Sequence, residues 1–171
     1  SETLADLLPG VDGYIAGLDE IDRNALKKAS DLKVIARYGV GIDNVDLETC
    51  QEMGIMVTNT PGANSDSVGE LTVGLILCLM RRIPQAIEAT RTGGWPRLHG
   101  RSLMDKTVGL IGFGNIGRRV AERLSPFGCK LLAHDPYAKP EMAVTLNTQL
   151  CDLGELLLKS DIISLHLPAL P

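Results

Sequence analysis

Aromatic residues are scarce in this 171-residue chain: one Trp, three Tyr and two Phe amount to 4% of it. Its core must therefore rest on Leu, Ile, Val and Ala. An excess of charge is missing too. The formal net charge is -4 and no Lys/Arg cluster forms a stripe, so a nucleic-acid partner is not expected. Cysteine occurs only at 50, 78, 129 and 151, with no CxxC pair, and each falls inside an apolar pattern. These read as small buried thiols in a reducing cytoplasm, neither disulfides nor metal ligands. The longest apolar run, residues 73–80, is too short to cross a bilayer. The opening SETLADLLPG lacks the basic and apolar regions of a signal peptide. These absences together point to a soluble, cytoplasmic protein with no membrane partner.

What is present is an alternation of strand and helix. The 44% hydrophobic content is ordinary for a globular chain of one domain or two small ones. Residues 13–16 read as a strand, 22–29 as a polar helix capped by Asp22, and 33–37 (KVIAR) as a strand ending in the glycine-rich turn RYGVGIDN. A short helix follows at 46–53, capped by Asp46 and closed by Gly54, then a strand at 55–58. This rhythm predicts a parallel sheet covered by helices. The longest helical pattern spans 65–82, where Val68, Leu71, Leu75, Cys78, Leu79 and Arg82 follow helical spacing and Pro84 lies just beyond. TRTGGWPRLHGRS (90–102) breaks the pattern and reads as a loop between two α/β units. The second unit is predicted as strands at 107–111, 130–133, 143–146 and 161–166, with helices at 115–127 and 152–159. No fixed-period repeat or low-complexity segment is found. The fold class is thus α/β, with two Rossmann-like or flavodoxin-like parallel-sheet units. The expected division is 1–83, a linker at 84–106, and 107–171.

TVGLIGFGNIGRRVA holds the most specific local signal, G-x-G-x-x-G between an apolar strand and an amphipathic helix. Gly112 permits the tight turn, Gly114 lets a pyrophosphate approach the backbone, and Gly117 lets the helix lie near the strand. The helix N-terminus offers unpaired N–H groups and a partial positive charge. The next strand, KLLAHD, ends in Asp135, 18 residues after Gly117; a ribose ligand is expected at a spacing of about 20. A carboxylate there accepts ribose hydroxyls and repels a 2′-phosphate, and the following Pro136 and Tyr137 bring no arginine. NAD is therefore the expected cofactor, in preference to NADP. In a sheet of order 3-2-1-4 the strand IISLH would lie beside the first one, which puts His166, Leu167 and Pro168 in the same crevice. His-x-Pro reads equally well as a strand end and its stop.

Taken in order, KVIARYGVGIDNVDLE (33–48), GIMVTNTPGANSDSVGELT (54–72), GGWPR (93–97), TVGLIGFGNIGRRVA (107–121), HDPY (134–137) and DIISLHLP (161–168) resemble the D-isomer-specific 2-hydroxyacid dehydrogenases. The resemblance implies a substrate domain and an NAD-binding domain with a cleft between them, and hydride transfer at C2 of a small 2-hydroxy or 2-oxo acid. It implies that the turn Arg37, Tyr38, Gly39, Val40 and Gly41 holds the substrate carboxylate through backbone N–H groups. By residues alone, Arg37 reads either as an anion partner or as a surface ion-pair residue. The resemblance also places Thr72, Asn115 and Ile116 toward the cofactor and implies a homo-oligomer. Its catalytic Arg, acidic residue and His would lie beyond Pro171, and its first strand before Ser1, so no catalytic residue is expected here and the chain reads as an internal fragment. The strand IISLH would then be an apolar edge inviting self-association. A non-catalytic NAD-sensing corepressor is the alternative from a different functional class.

Overall fold

The computed structural model describes residues 3–167. The chain forms two compact units, one ending at Asn64 and the other beginning at Ser65, each with its own parallel sheet.

The first unit runs α1 (Leu4–Leu7), β1 (Gly13–Ala16), α2 (Arg23–Lys28), β2 (Val34–Arg37), α3 (Leu47–Glu52) and β3 (Met56–Thr58). Its strands lie in the order β1-β2-β3, all parallel, with Ile35 of the middle strand in register with Tyr14 and Val57. Both expected caps form. The Asp22 carboxylate accepts from Ala25 N at 2.8 Å and that of Asp46 from Thr49 N at 2.9 Å; such caps are each worth about 1 kcal/mol. Ala16, Ile21, Leu26 and Ile35 are fully buried, so small and aliphatic side chains do fill this core.

The second unit runs α4 (Ser65–Arg81), α5 (Ile83–Arg91), β4 (Thr107–Ile111), α6 (Asn115–Leu124), a 3₁₀ turn (Ser125–Phe127), β5 (Lys130–His134), α7 (Pro140–Thr145), β6 (Thr148–Leu150), α8 (Leu153–Lys159) and β7 (Ile162–Leu165). The sheet order is β6-β5-β4-β7, which is the expected 3-2-1-4. Helices α4 and α6 pack on each other and α8 packs on β4 and β5. Val108, Leu110, Val120, Ala121, Leu124 and Ala133 form a fully buried centre, each large aliphatic contributing about 1.5–3 kcal/mol. The carboxyl ends of β4, β5 and β7 thereby meet at one edge, where the glycine-rich turn sits.

Three elements differ from the sequence expectation. The segment expected to be a linker opens with helix α5, because Pro84 occupies its first turn, where a missing N–H is harmless. Arg82, in the left-handed region at φ 55°, separates α5 from α4. The strand expected at 143–146 is instead the end of α7; Pro140 starts that helix, Asn147 at φ 50° turns the chain, and the strand follows as β6. Finally, α4 lies in the second unit rather than with residues 3–64. Its Asp66 pairs with Arg119 and Arg123 of α6, and it buries Gly69, Val73 and Ile76. The stripe of Leu71, Leu75 and Leu79 stays exposed, at 61%, 55% and 75%.

Candidate functional site

At the end of β4, Gly112 takes φ +95° in a buried position where a Cβ would collide with the His166 carbonyl and press on the Leu167 side chain. A Cβ at Gly117 would collide with the Gly112 carbonyl, so the helix can lie this close to the turn only because both positions are glycine. Gly114 has open space on its Cβ side. It is the N-cap of α6 and provides no side-chain cap. Among the described residues, no acceptor takes the N–H groups of Gly114, Asn115, Ile116 or Gly117. Four such donors at a helix N-terminus fit an anionic group.

Asp135 closes this cradle from β5. Its Oδ2 accepts from Phe113 N at 2.8 Å and its Oδ1 from Tyr137 N at 2.8 Å. The carboxylate is thus fixed in orientation, and its remaining lone pairs can accept further donors. Gly112 N also donates to the His134 carbonyl at 2.9 Å, tying the turn to β5. Pro136 and Tyr137 lie exposed beside it. From β7, His166 N donates to Ile111 O at 2.7 Å, and its ring Nε2 lies 3.0 Å from Ser164 Oγ. Burial holds the His166 imidazole below its ordinary value of 6.5, so the ring is neutral at pH 7. Gly112, Gly114, Asn115, Ile116, Gly117, Asp135, Pro136, Tyr137, His166 and Leu167 are therefore gathered at one edge of the sheet. Thr72 is half-buried on α4 with its hydroxyl donating to Val68 O at 2.8 Å, inside its own helix. Pro168 lies outside the described residues.

In the first unit, β2 ends at Arg37 and the chain turns through Tyr38, Gly39, Val40 and Gly41. The guanidinium of Arg37 is engaged by the protein itself: Nε donates to Asn44 Oδ1 at 3.2 Å, and Nη1 to Tyr38 O at 2.6 Å and Ala16 O at 3.4 Å. Asn44 in turn donates to Asp19 O at 2.7 Å. From the loop after β3, Thr60 donates to Gly39 O through both its N and its Oγ1, each at 3.0 Å, and Asn59 donates to Val40 O at 2.7 Å. These bonds fix the turn's carbonyls and leave the N–H groups of Val40 and Gly41 without an acceptor among the described residues. Asn44, Asn59 and Thr60 escaped sequence reasoning. Their only signal is that RYGVGIDN and TNTPGAN both follow strand ends in one sheet.

A cavity of about 780 Å³ lies at the opposite end of the second sheet, where Thr107, Lys130 and Thr148 begin their strands. None of the site residues expected from the sequence lines it. Among the described residues no His, Cys, Asp and Glu cluster could hold a metal, and no helix is long and apolar enough to cross a membrane. All four cysteines are free thiols.

Comparison with known proteins agrees with this geometry. The chain is similar to a hydroxypyruvate reductase of Thermotoga maritima, 43% identical over 98% of the chain and 55% of the relative. It is also similar to a D-3-phosphoglycerate dehydrogenase of Methanocaldococcus jannaschii, 44% identical over 89% of the chain and 30% of the relative. A solved structure of D-lactate dehydrogenase from Aquifex aeolicus, complexed with NAD and lactic acid, matches 97% of the chain and 51% of its own length, with a TM-score of 0.85 at 31% identity. The chain thus spans about half or less of the length of these relatives. Residues 73–171 match the model of the D-isomer specific 2-hydroxyacid dehydrogenase NAD binding domain, and the chain belongs to that family.

Proposed function

We propose that this chain serves NAD-linked oxidation and reduction of small D-2-hydroxy acids, with the second unit holding the cofactor and the first the substrate. The observation that carries this reading is the run of uncapped N–H groups from Gly114 to Gly117 beside the fixed carboxylate of Asp135. The amides receive the pyrophosphate, and Asp135 accepts the adenine ribose hydroxyls and repels a 2′-phosphate. When bound there, NAD would supply the hydride acceptor or donor for C2 of the substrate. His166 and Leu167 line the other side of the glycine turn. In the first unit the N–H groups of Val40 and Gly41 receive the substrate carboxylate, on a turn shaped by Arg37, Tyr38 and Gly39. Relatives named D-3-phosphoglycerate dehydrogenase favour phosphoglycerate as the substrate, and the relative named hydroxypyruvate reductase keeps hydroxypyruvate beside it. Calorimetry with NAD, ADP-ribose and NADP tests the cofactor reading. NAD and ADP-ribose should bind alike, and NADP at least about tenfold more weakly; failure of all three to bind overturns it. Titration with 3-phosphoglycerate, lactate and glyoxylate ranks the substrates.

We also propose that the protein is a homo-oligomer. The exposed stripe of Leu71, Leu75 and Leu79 supports this. Light scattering should show a multimer that Leu75→Glu with Leu79→Glu dissociates; a monodisperse wild-type monomer at high concentration overturns it.

A further inference from the structure

Helix α6 carries three arginines in its sequence NIGRRVAERL, and they are treated differently. Arg119 pairs with Asp66 at 3.3 Å and Glu122 at 3.0 Å. Arg123 pairs with Asp66 at 2.8 Å and Glu70 at 3.6 Å. Arg118 has no acidic partner among the described residues. Its side chain instead folds back along the helix toward its N-terminus: Nε donates to Gly114 O at 3.1 Å and Nη2 to Asn115 Oδ1 at 2.8 Å. Both acceptors are neutral. They hold the guanidinium, half-buried, against the N-cap of α6 and leave its other N–H groups without a partner.

This placement works against the helix that bears it. The N-terminus of α6 already carries the positive end of the helix dipole and a run of unpaired N–H groups, and a cation in the first turn is electrostatically unfavourable there. No acid lies in the first turn to compensate. A positive charge held by two hydrogen bonds in a place it would otherwise avoid is offset when an anion arrives at the same amides. We infer that Arg118 is a pyrophosphate-binding residue of this site, its guanidinium clamped over the helix N-terminus by Gly114 and Asn115 so that it reinforces the backbone cradle. In this arrangement Asn115 is a positioning residue: its amide oxygen aims the arginine, while its backbone N–H faces the phosphates. The planar fork suits a phosphate's paired oxygens.

The inference rests on the proposal that the second unit binds NAD, and the test separates the two. Wild type, Arg118→Gln and Arg118→Lys are titrated with ADP-ribose by calorimetry at low and high salt, and with adenosine, which lacks the phosphates, by NMR. Arg118→Gln should weaken ADP-ribose about tenfold at low salt and leave adenosine unchanged. Its ADP-ribose affinity should also fall less steeply with salt than that of wild type, and Arg118→Lys, which keeps the charge without the planar fork, should recover only part of the loss. Without ligand, the Gln variant should melt no lower than wild type, because an unfavourable charge has gone; a purely structural arginine would lower it. Wild-type affinity for ADP-ribose in Arg118→Gln overturns the inference alone, as does an equal loss of both ligands. Wild type that binds neither ligand overturns the cofactor reading and the inference with it.

Discussion

Each unit ends a parallel strand in a glycine-rich turn, but the turns at 37–41 and 112–117 are held by different means. The second runs straight into α6 at Asn115, and a helix aligns its own amides without help from side chains. What it needs is close approach, and crowding around Gly112 and Gly117 supplies the shape. The first turn has no helix to enter, since α3 does not begin until Leu47. Its carbonyls are instead fixed one by one, by Arg37, Asn59 and Thr60, with Asn44 bridging to the end of β1. An anion site built on a helix end is thus sensitive to added atoms. One built on a loop is sensitive to lost hydrogen bonds.

The largest expected effect breaks the second turn by adding one carbon. Gly112→Ala meets both a left-handed φ and the His166 carbonyl, and should destabilise the second unit by about 3 kcal/mol. Gly114→Ala is its control. The new methyl faces open space and should change stability by less than about 0.5 kcal/mol, while obstructing the approach of phosphate and weakening ADP-ribose binding. Thermal melts with and without ADP-ribose separate the two. Equal stability loss in both variants would contradict the crowding argument.

Asp135→Ala comes next. It leaves the N–H groups of Phe113 and Tyr137 without their charged acceptor, and a stability loss of about 2 kcal/mol is expected. The same variant should narrow the preference for NAD over NADP, read by calorimetry. Asn44→Ala tests the other turn by subtraction. Removing its bonds to Arg37 and Asp19 should cost the first unit about 1.5 kcal/mol, seen as faster hydrogen exchange around 37–44, with ADP-ribose affinity unchanged.

Much of the second turn was legible in sequence because its signals are local. Three glycines, an apolar strand before them and an acid after the next strand all lie within residues 107–135, and the caps Asp22 and Asp46 are equally local. The first turn was legible only as glycines. Its partners Asn59 and Thr60 are some twenty residues away and come near because β2 and β3 pair. Arg37 read either as an anion partner or as a surface ion-pair residue, since the carbonyls that engage it carry no residue-type signal. Helix α4 forms where it was expected, at Ser65–Arg81, but periodicity cannot say which of two apolar faces is buried, and Val73 and Ile76 went inside while Leu71 and Leu75 did not. At α5, Pro84 was read as a stop, whereas it stands in a first turn, and Pro140 opens α7 in the same way.

The smallest expected effect is a pH dependence that only the second turn should show. Burial lowers the folded-state value of His166 beneath 6.5, so just below that pH the unfolded chain binds a proton that the folded chain does not. Stability attributable to this ring is therefore complete above about pH 6.5, falls as pH drops toward the folded value, and levels off below it. Protonation would also place a cation beneath a helix N-terminus that is already positive. His166→Gln should flatten that part of the stability profile of the second unit, and NMR titration of the wild-type ring should report a midpoint below 6.5. The first turn is held by the amides of Asn44 and Asn59 and the hydroxyl of Thr60, with no histidine among the side chains that bond to it, so hydrogen exchange around 37–44 should show no such loss of protection between about pH 5 and 7. A folded midpoint at or above 6.5 would mean that the ring is open to water, and the wall assigned to His166 would have to be redrawn.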